Sequence, residues 1–204
     1  MDNQDIKNNL LVSAKEELDY FSNKGKPERE RCVVAEFLRV VGIPFQVSEL
    51  KSPEQESKVD VEFREARFQI KELTTPGLES NRFAKDGYNS IKNAETLEQV
   101  TFPSVAHDIP PAGRIYDLVR EMVEDLSSEL KYVAHKSGLD LLIEVTRTRA
   151  SLIDPVEIST HDFAWFGWRS VSCVNSKQAV VLYASSYAPE FLRACAQQSI
   201  YVSG

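Results

Sequence analysis

Asp60, Gln69 and Lys71 fall on the two arms of a short hairpin pattern and are the residues of this chain best placed to do chemistry. The runs 58–63 (KVDVEF) and 66–73 (ARFQIKEL) are separated by Arg64-Glu65 alone, which reads as two antiparallel strands with a two-residue connection. Pairing symmetric about that turn puts Phe63 opposite Ala66, Asp60 opposite Gln69 and Lys58 opposite Lys71. Successive side chains of a strand point to opposite faces, so Asp60, Glu62, Arg67, Gln69 and Lys71 share one face while Val59, Val61, Phe63, Phe68 and Ile70 fill the other. One face is core; the other gathers a carboxylate, an amide and an ammonium, groups suited to a place where negative charge develops. The same residues also read as the solvated face of a two-stranded ribbon with cross-strand charge pairing.

The elements that must position this hairpin come next. The spacing predicts an opening helix over 4–22, from Ile6, Leu10, Val12, Leu18, Tyr20 and Phe21. A second helix starts at Pro27, a residue favoured in a first turn, and stops at Gly42. Val33, Val34, Phe37, Leu38 and Val41 form its buried arc, and Glu36 falls roughly 60° outside Val33, at the edge of that arc. A strand is expected over Phe45 to Glu49, ahead of the hairpin. Residues 74–113 read as a long punctuated connection with a short helix over 89–99, of the kind used as lids or binding loops. An amphipathic helix follows over 114–136, from Ile115, Leu118, Met122, Leu126, Leu130 and Val133, then a buried strand at 139–145 (LDLLIEV). The tail reads as an aromatic strand from Phe163 to Val174, a strand from Ala179 to Ser185 and a helix beginning near Pro189.

Helix, three strands, helix and strand over residues 27–147 resemble the common core of the PD-(D/E)xK nuclease superfamily. In that family an Asp opens the second strand and an acidic residue stands two positions before a Lys on the third; Asp60 and Gln69-Ile70-Lys71 take those places, and Glu36 matches a frequent extra Glu on the first helix. The chain also resembles an uncharacterised bacterial family labelled putative endonuclease. The resemblance implies an α/β fold: a restriction-endonuclease-like αβββαβ core with a mixed sheet, an N-terminal helix and a C-terminal β-β-α extension, in one domain over 1–204 (core 27–147, extension 148–204). It implies phosphodiester hydrolysis in DNA or RNA with Mg²⁺ or Mn²⁺. Asp60, Glu36 and Glu62 are then the metal ligands, Gln69 a neutral ligand or positioning group, and Lys71 the catalytic lysine. Gln69 departs from the family, where an acid is usual, and costs the metal one negative charge. The alternative is a nuclease-fold domain without turnover that binds nucleic acid or a protein.

Charge distribution bears on the partner. The net charge is −7, and residues 93–140 carry nine acids against four bases, which makes that region a poor nucleic-acid face. Residues 64–92 carry six bases against four acids, so Arg67, Arg82 and Lys85 are the candidate nucleic-acid contacts. The three cysteines lack CxxC spacing and His107, His135 and His161 lack HxxxH spacing, which argues against a zinc site or a disulfide framework. Cys195 reads as a small core residue rather than a nucleophile. The aromatic run FAWFGW (163–168) could stack bases, but its alternation reads more simply as core. There is no nucleotide-binding glycine motif, no signal-peptide pattern at the N-terminus and no apolar run of membrane-spanning length. The expectation is a cytoplasmic protein with no membrane contact, able to form a homo-oligomer.

Overall fold

The computed structural model describes residues 3–54, 57–76, 80–102, 110–147 and 160–201. The chain divides into two compact units, one of Met1–Arg29 with Thr74–Asp108 and one of Glu30–Leu73 with Ile109–Gly204.

In the first unit α1 (Asn3–Phe21) packs on α3 (Ser80–Asn93). The opening helix forms, but its buried residue is Ala14, while Val12 and Tyr20 of the expected apolar spacing are exposed. The connection differs from expectation, because the helix runs over 80–93 and not 89–99: Ala84 and Ile91, one face of it, are buried. A Cβ at Gly25 would collide with the Tyr20 carbonyl, so only glycine lets the chain turn so closely after α1.

The second unit is a mixed sheet in the order β1 (Val61–Phe63), β2 (Ala66–Leu73), β3 (Asp140–Val145), β4 (Ser170–Val174), β5 (Gln178–Ala184), β6 (Ser199–Tyr201). β1 and β2 are antiparallel, β2 to β3 and β3 to β4 are parallel, and β5 and β6 return antiparallel. Phe68, Ile70, Val61, Phe63 and Leu142 form one core with α2 (Lys26–Val40) and Leu192 of α7 (Glu190–Ala194). Leu141, Ile143, Val145 and Leu73 form the other, with α4 (Ala112–Ser128), Tyr132, Phe163 and Trp168. At the end of α2, Gly42 adopts φ +75°, and the Ile43 N–H reaches back to the Leu38 carbonyl at 2.9 Å while the Gly42 N–H reaches Arg39 at 3.2 Å. These paired bonds close the helix where the glycine predicts.

Five expectations are corrected. Residues 45–49 form no strand; Val47–Glu49 is a 3-10 turn, held by the Glu49 carboxylate accepting from the Gln46 N–H at 2.7 Å, so the core in this stretch is αββαβ and not αβββαβ. The long helix breaks at Glu129, whose backbone is extended, leaving the short α5 (Leu130–Val133) with Leu130 91% exposed. Residues 163–168 are no strand either: α6 (Thr160–Ala164) ends in a turn at Gly167 (φ +79°), which buries Phe163 and Trp168 and leaves Trp165 87% exposed. The tail is no appendage, since β4 pairs directly with β3 and continues one sheet, with β6 as an added strand. Val59 also belongs to the α4 core and not to the core under Val61 and Phe63.

Candidate active site

The hairpin register is Phe63 with Ala66, Glu62 with Arg67 and Val61 with Phe68. The connection lacks glycine, so Arg64 itself takes φ 51°. Its guanidinium is tied to Glu49 at 3.1 Å and to the Pro44 carbonyl at 2.9 Å, and it lies 4.5 Å from the Phe63 ring centroid. Beyond Val61 the ladder ends in a side chain. The Asp60 N–H donates to the Phe68 carbonyl at 2.8 Å, and its carboxylate Oδ2 then accepts from the Ile70 N–H at 2.8 Å and from Nε2 of Gln69. A charged acceptor at a strand N–H makes a stronger bond than a neutral carbonyl, which holds Asp60 at this point.

Gln69 stands beside Leu141 and Lys71 beside Ile143 in the parallel pairing of β2 with β3. Leu141 and Ile143 point into the α4 core, so Gln69 and Lys71 point to that side of the sheet. Gln69 is 5% exposed. Lys71 is half-buried, with Nζ 5.7 Å from the centroid of the Tyr132 ring. Among the described residues its ammonium makes no hydrogen bond and no ion pair; the face of an aromatic ring is its contact.

The other candidates are placed differently. Glu36 rides on α2, whose apolar arc covers Phe68 and Ile70, so its helix lies on the opposite face of the sheet from Gln69 and Lys71. Glu62 is half-buried on β1 opposite Arg67; Arg67 is exposed, and its N–H donates to Asp140 at 2.9 Å. Arg82 and Lys85 are exposed on α3, in the first compact unit, with Arg82 3.8 Å from Asp86. His107 lies outside the described residues. Among the described residues no group of three His, Cys, Asp or Glu side chains is arranged to hold a metal ion. The donors therefore do not fit a self-sufficient Mg²⁺ or Mn²⁺ cage. One carboxylate, Asp60, would be the protein's ligand to a hard cation there, whose remaining shell would have to come from elsewhere.

Three features escaped the sequence reading. Tyr132 sits on a helix that a break redirects. Asp140, fully buried, accepts from Arg169 Nε at 3.0 Å, from Arg169 Nη2, from Ser170 Oγ at 2.8 Å and from the Arg67 N–H. Its signal was an acid at the start of a run apolar but for Glu144, which calls for a buried cation. Arg147, just past β3, carried no signal of its own.

A family model described as "Putative endonuclease, protein of unknown function (DUF1780)" matches residues 2–204. The chain belongs to that family. A solved structure from Pseudomonas aeruginosa strain PAO1, the protein of unknown function PA4535, named as of a monooxygenase superfamily, is similar to this DUF1780 chain. The TM-score is 0.62 at 24% identity, over 100% of this chain and 98% of that one. That likeness speaks to the fold alone. No curated protein matches the chain. Among the described residues of this DUF1780 member, no helix is long and apolar enough to cross a membrane.

Proposed function

We propose that this chain hydrolyses phosphodiester bonds in DNA or RNA at the Asp60, Gln69 and Lys71 cluster. The observation that carries the reading is Lys71: a half-buried ammonium without an anionic partner among the described residues, two positions along β2 from Gln69, whose amide and the Ile70 N–H clamp the Asp60 carboxylate. The family's description, "Putative endonuclease, protein of unknown function", lends it support. In hydrolysis a water oxygen bonds to phosphorus, one P–O ester bond breaks, and the leaving alcohol and a phosphate monoester share the water's protons. Charge builds up on the phosphoryl oxygens along the way, so the Lys71 ammonium binds the transition state more strongly than the monoanionic diester. Gln69, through Nε2, fixes the orientation of the Asp60 carboxylate. Asp60 would hold Mg²⁺ or Mn²⁺ together with substrate oxygens, and such an ion supplies Lewis-acid polarisation of the phosphoryl group.

The test is cleavage of labelled single-stranded, duplex and branched DNA and RNA with Mg²⁺, Mn²⁺ or EDTA. Metal-dependent cleavage is expected for the wild type, with Lys71→Ala lowering turnover by about 10² or more. A second reading, binding without turnover, draws on Gln69, which donates to Asp60 where the PD-(D/E)xK nucleases that the sequence resembles usually have an acid. No cleavage of any form, together with no Mg²⁺ binding by calorimetry in the presence of nucleic acid, would falsify the hydrolase and leave that second reading.

A further inference from the structure

The break at Glu129 exchanges two side chains that helical spacing assigns the other way. Leu126 faces the α4 core, and on an unbroken helix Leu130 would fall within about 40° of its direction and Tyr132 about 120° away. In the fold Tyr132 is 3% exposed and Leu130 is 91% exposed. What the exchange delivers, beyond the apolar burial that Leu130 offers as well, is an aromatic face beside Lys71, whose Nζ lies 5.7 Å from the ring centroid. The ring is braced. Its centroid lies 5.3 Å from that of Trp168, and Trp168 Nε1 donates to the Ser127 Oγ at 2.8 Å. The Tyr132 N–H donates to the Glu129 carbonyl at 2.9 Å, and the Tyr132 carbonyl accepts from the His135 N–H at 2.8 Å. Lys71 reaches this ring from β2, where the pairing beside Ile143 of β3 fixes its backbone. A carboxylate in the ring's place would take both the charge and an N–H of the ammonium. A ring face attracts the cation through its quadrupole and leaves the N–H groups to another acceptor.

We propose that Tyr132 is a positioning residue for Lys71: its ring face seats the ammonium that meets the scissile phosphoryl group. The inference rests on the hydrolase reading for what Lys71 acts on, and on the ring contact for how it is held. A lysine side chain loses rotamer freedom when its head is fixed, and a seat already formed in the folded protein meets that loss before substrate arrives. Tyr132 touches no reacting atom in this reading and acts through Lys71.

The experiment measures cleavage by the full chain carrying Tyr132→Leu, Tyr132→Phe, Lys71→Ala, or Tyr132→Leu together with Lys71→Ala, and records the lysine side-chain ¹H–¹³C NMR spectrum of each. Tyr132→Leu is expected to lower kcat about tenfold with little change in KM for the strand. Tyr132→Phe, which keeps the ring, should recover most of that loss, and Tyr132→Leu should add almost nothing once Lys71 is already alanine. The Lys71 Hε resonance, assigned by its disappearance in Lys71→Ala, should lie upfield in the wild type and in Tyr132→Phe and return to the position of an exposed lysine in Tyr132→Leu. An unshifted Lys71 resonance in the wild type overturns the proposal, and that outcome needs no variant of Tyr132 to fold. A Tyr132→Phe loss as deep as that of Tyr132→Leu overturns it too, as does a Tyr132→Leu loss that is just as deep without Lys71. If the resonance is shifted but no cleavage is found, the hydrolase fails and the seat for Lys71 stands. If cleavage is found with kcat unchanged in Tyr132→Leu, this inference alone fails.

Discussion

The two ends of the parallel pair β2–β3 treat charge in opposite ways. At the amino end, Asp140 is fully buried and its two oxygens receive four donors from Arg169, Ser170 and Arg67, while Arg169 Nη2 also reaches the Glu65 carbonyl at 3.0 Å. At the carboxyl end, Lys71 faces an aromatic ring and Arg147 Nε is buried with no acceptor among the described residues. Burying a charge costs several kcal/mol unless partners offset it, so the first end is saturated as folded, while the second is not saturated among the described residues. Saturation therefore separates charges committed to the fold from charges that the fold leaves uncommitted, a distinction that residue type alone does not draw.

Removing one partner from the saturated end should give the largest effect. Asp140→Ala leaves the mostly buried Arg169 guanidinium without its acid and should cost about 3–5 kcal/mol in urea unfolding, whereas Lys71→Ala should cost under about 1 kcal/mol. Equal losses at the two ends would break the comparison.

Gln69→Glu puts a second carboxylate against Asp60 in a buried spot. It should lower stability by about 1–3 kcal/mol in EDTA, with Mn²⁺ recovering most of the loss in thermal melts. A variant that Mn²⁺ leaves unchanged argues against any cation at this site.

The smallest effect lies midway between the two ends, where Cys173 pairs with Ile143. Burial pushes the Cys173 thiol up strongly and the Cys195 thiol up as well, while Cys32 is exposed. In the unfolded chain these thiols ionise near about 8.5. Above that pH the folded state retains protons that the unfolded state has lost, so the contribution is whole at neutral pH and declines as pH rises. A thiol reagent at neutral pH should label Cys32 first, Cys195 slowly and Cys173 only on unfolding; rapid Cys173 labelling would show that the middle of the sheet opens.

Local signals carried the elements whose reasons are local. The two-residue Arg64-Glu65 connection sets the hairpin register, and Gly42 ends α2 because only a residue at ease with positive φ closes the helix so tightly. The 139–145 run is a buried strand because it is apolar on nearly every position. Elements whose reasons are distant were misread. Leu130 continues the helical spacing of α4, yet the backbone breaks at Glu129 and exposes it. Phe163 and Trp168 are core without being strand, because Trp168 Nε1 finds the Ser127 Oγ at 2.8 Å across 41 residues.

The candidate site divides along the same line. That Asp60 and Gln69 meet follows from alternation and a tight turn, both properties of a few neighbouring residues. That α2 carries Glu36 over the opposite face, and that Lys71 has no anion among the described residues while Asp140 is saturated, depended on which helix covers which side of the sheet and which strands lie beside β2. The sequence determined which side of a helix or strand is apolar, since that is a period along the chain. Only the tertiary structure decided which charged groups have partners, because the interaction falls steeply with distance and the partners come from residues far apart in the chain.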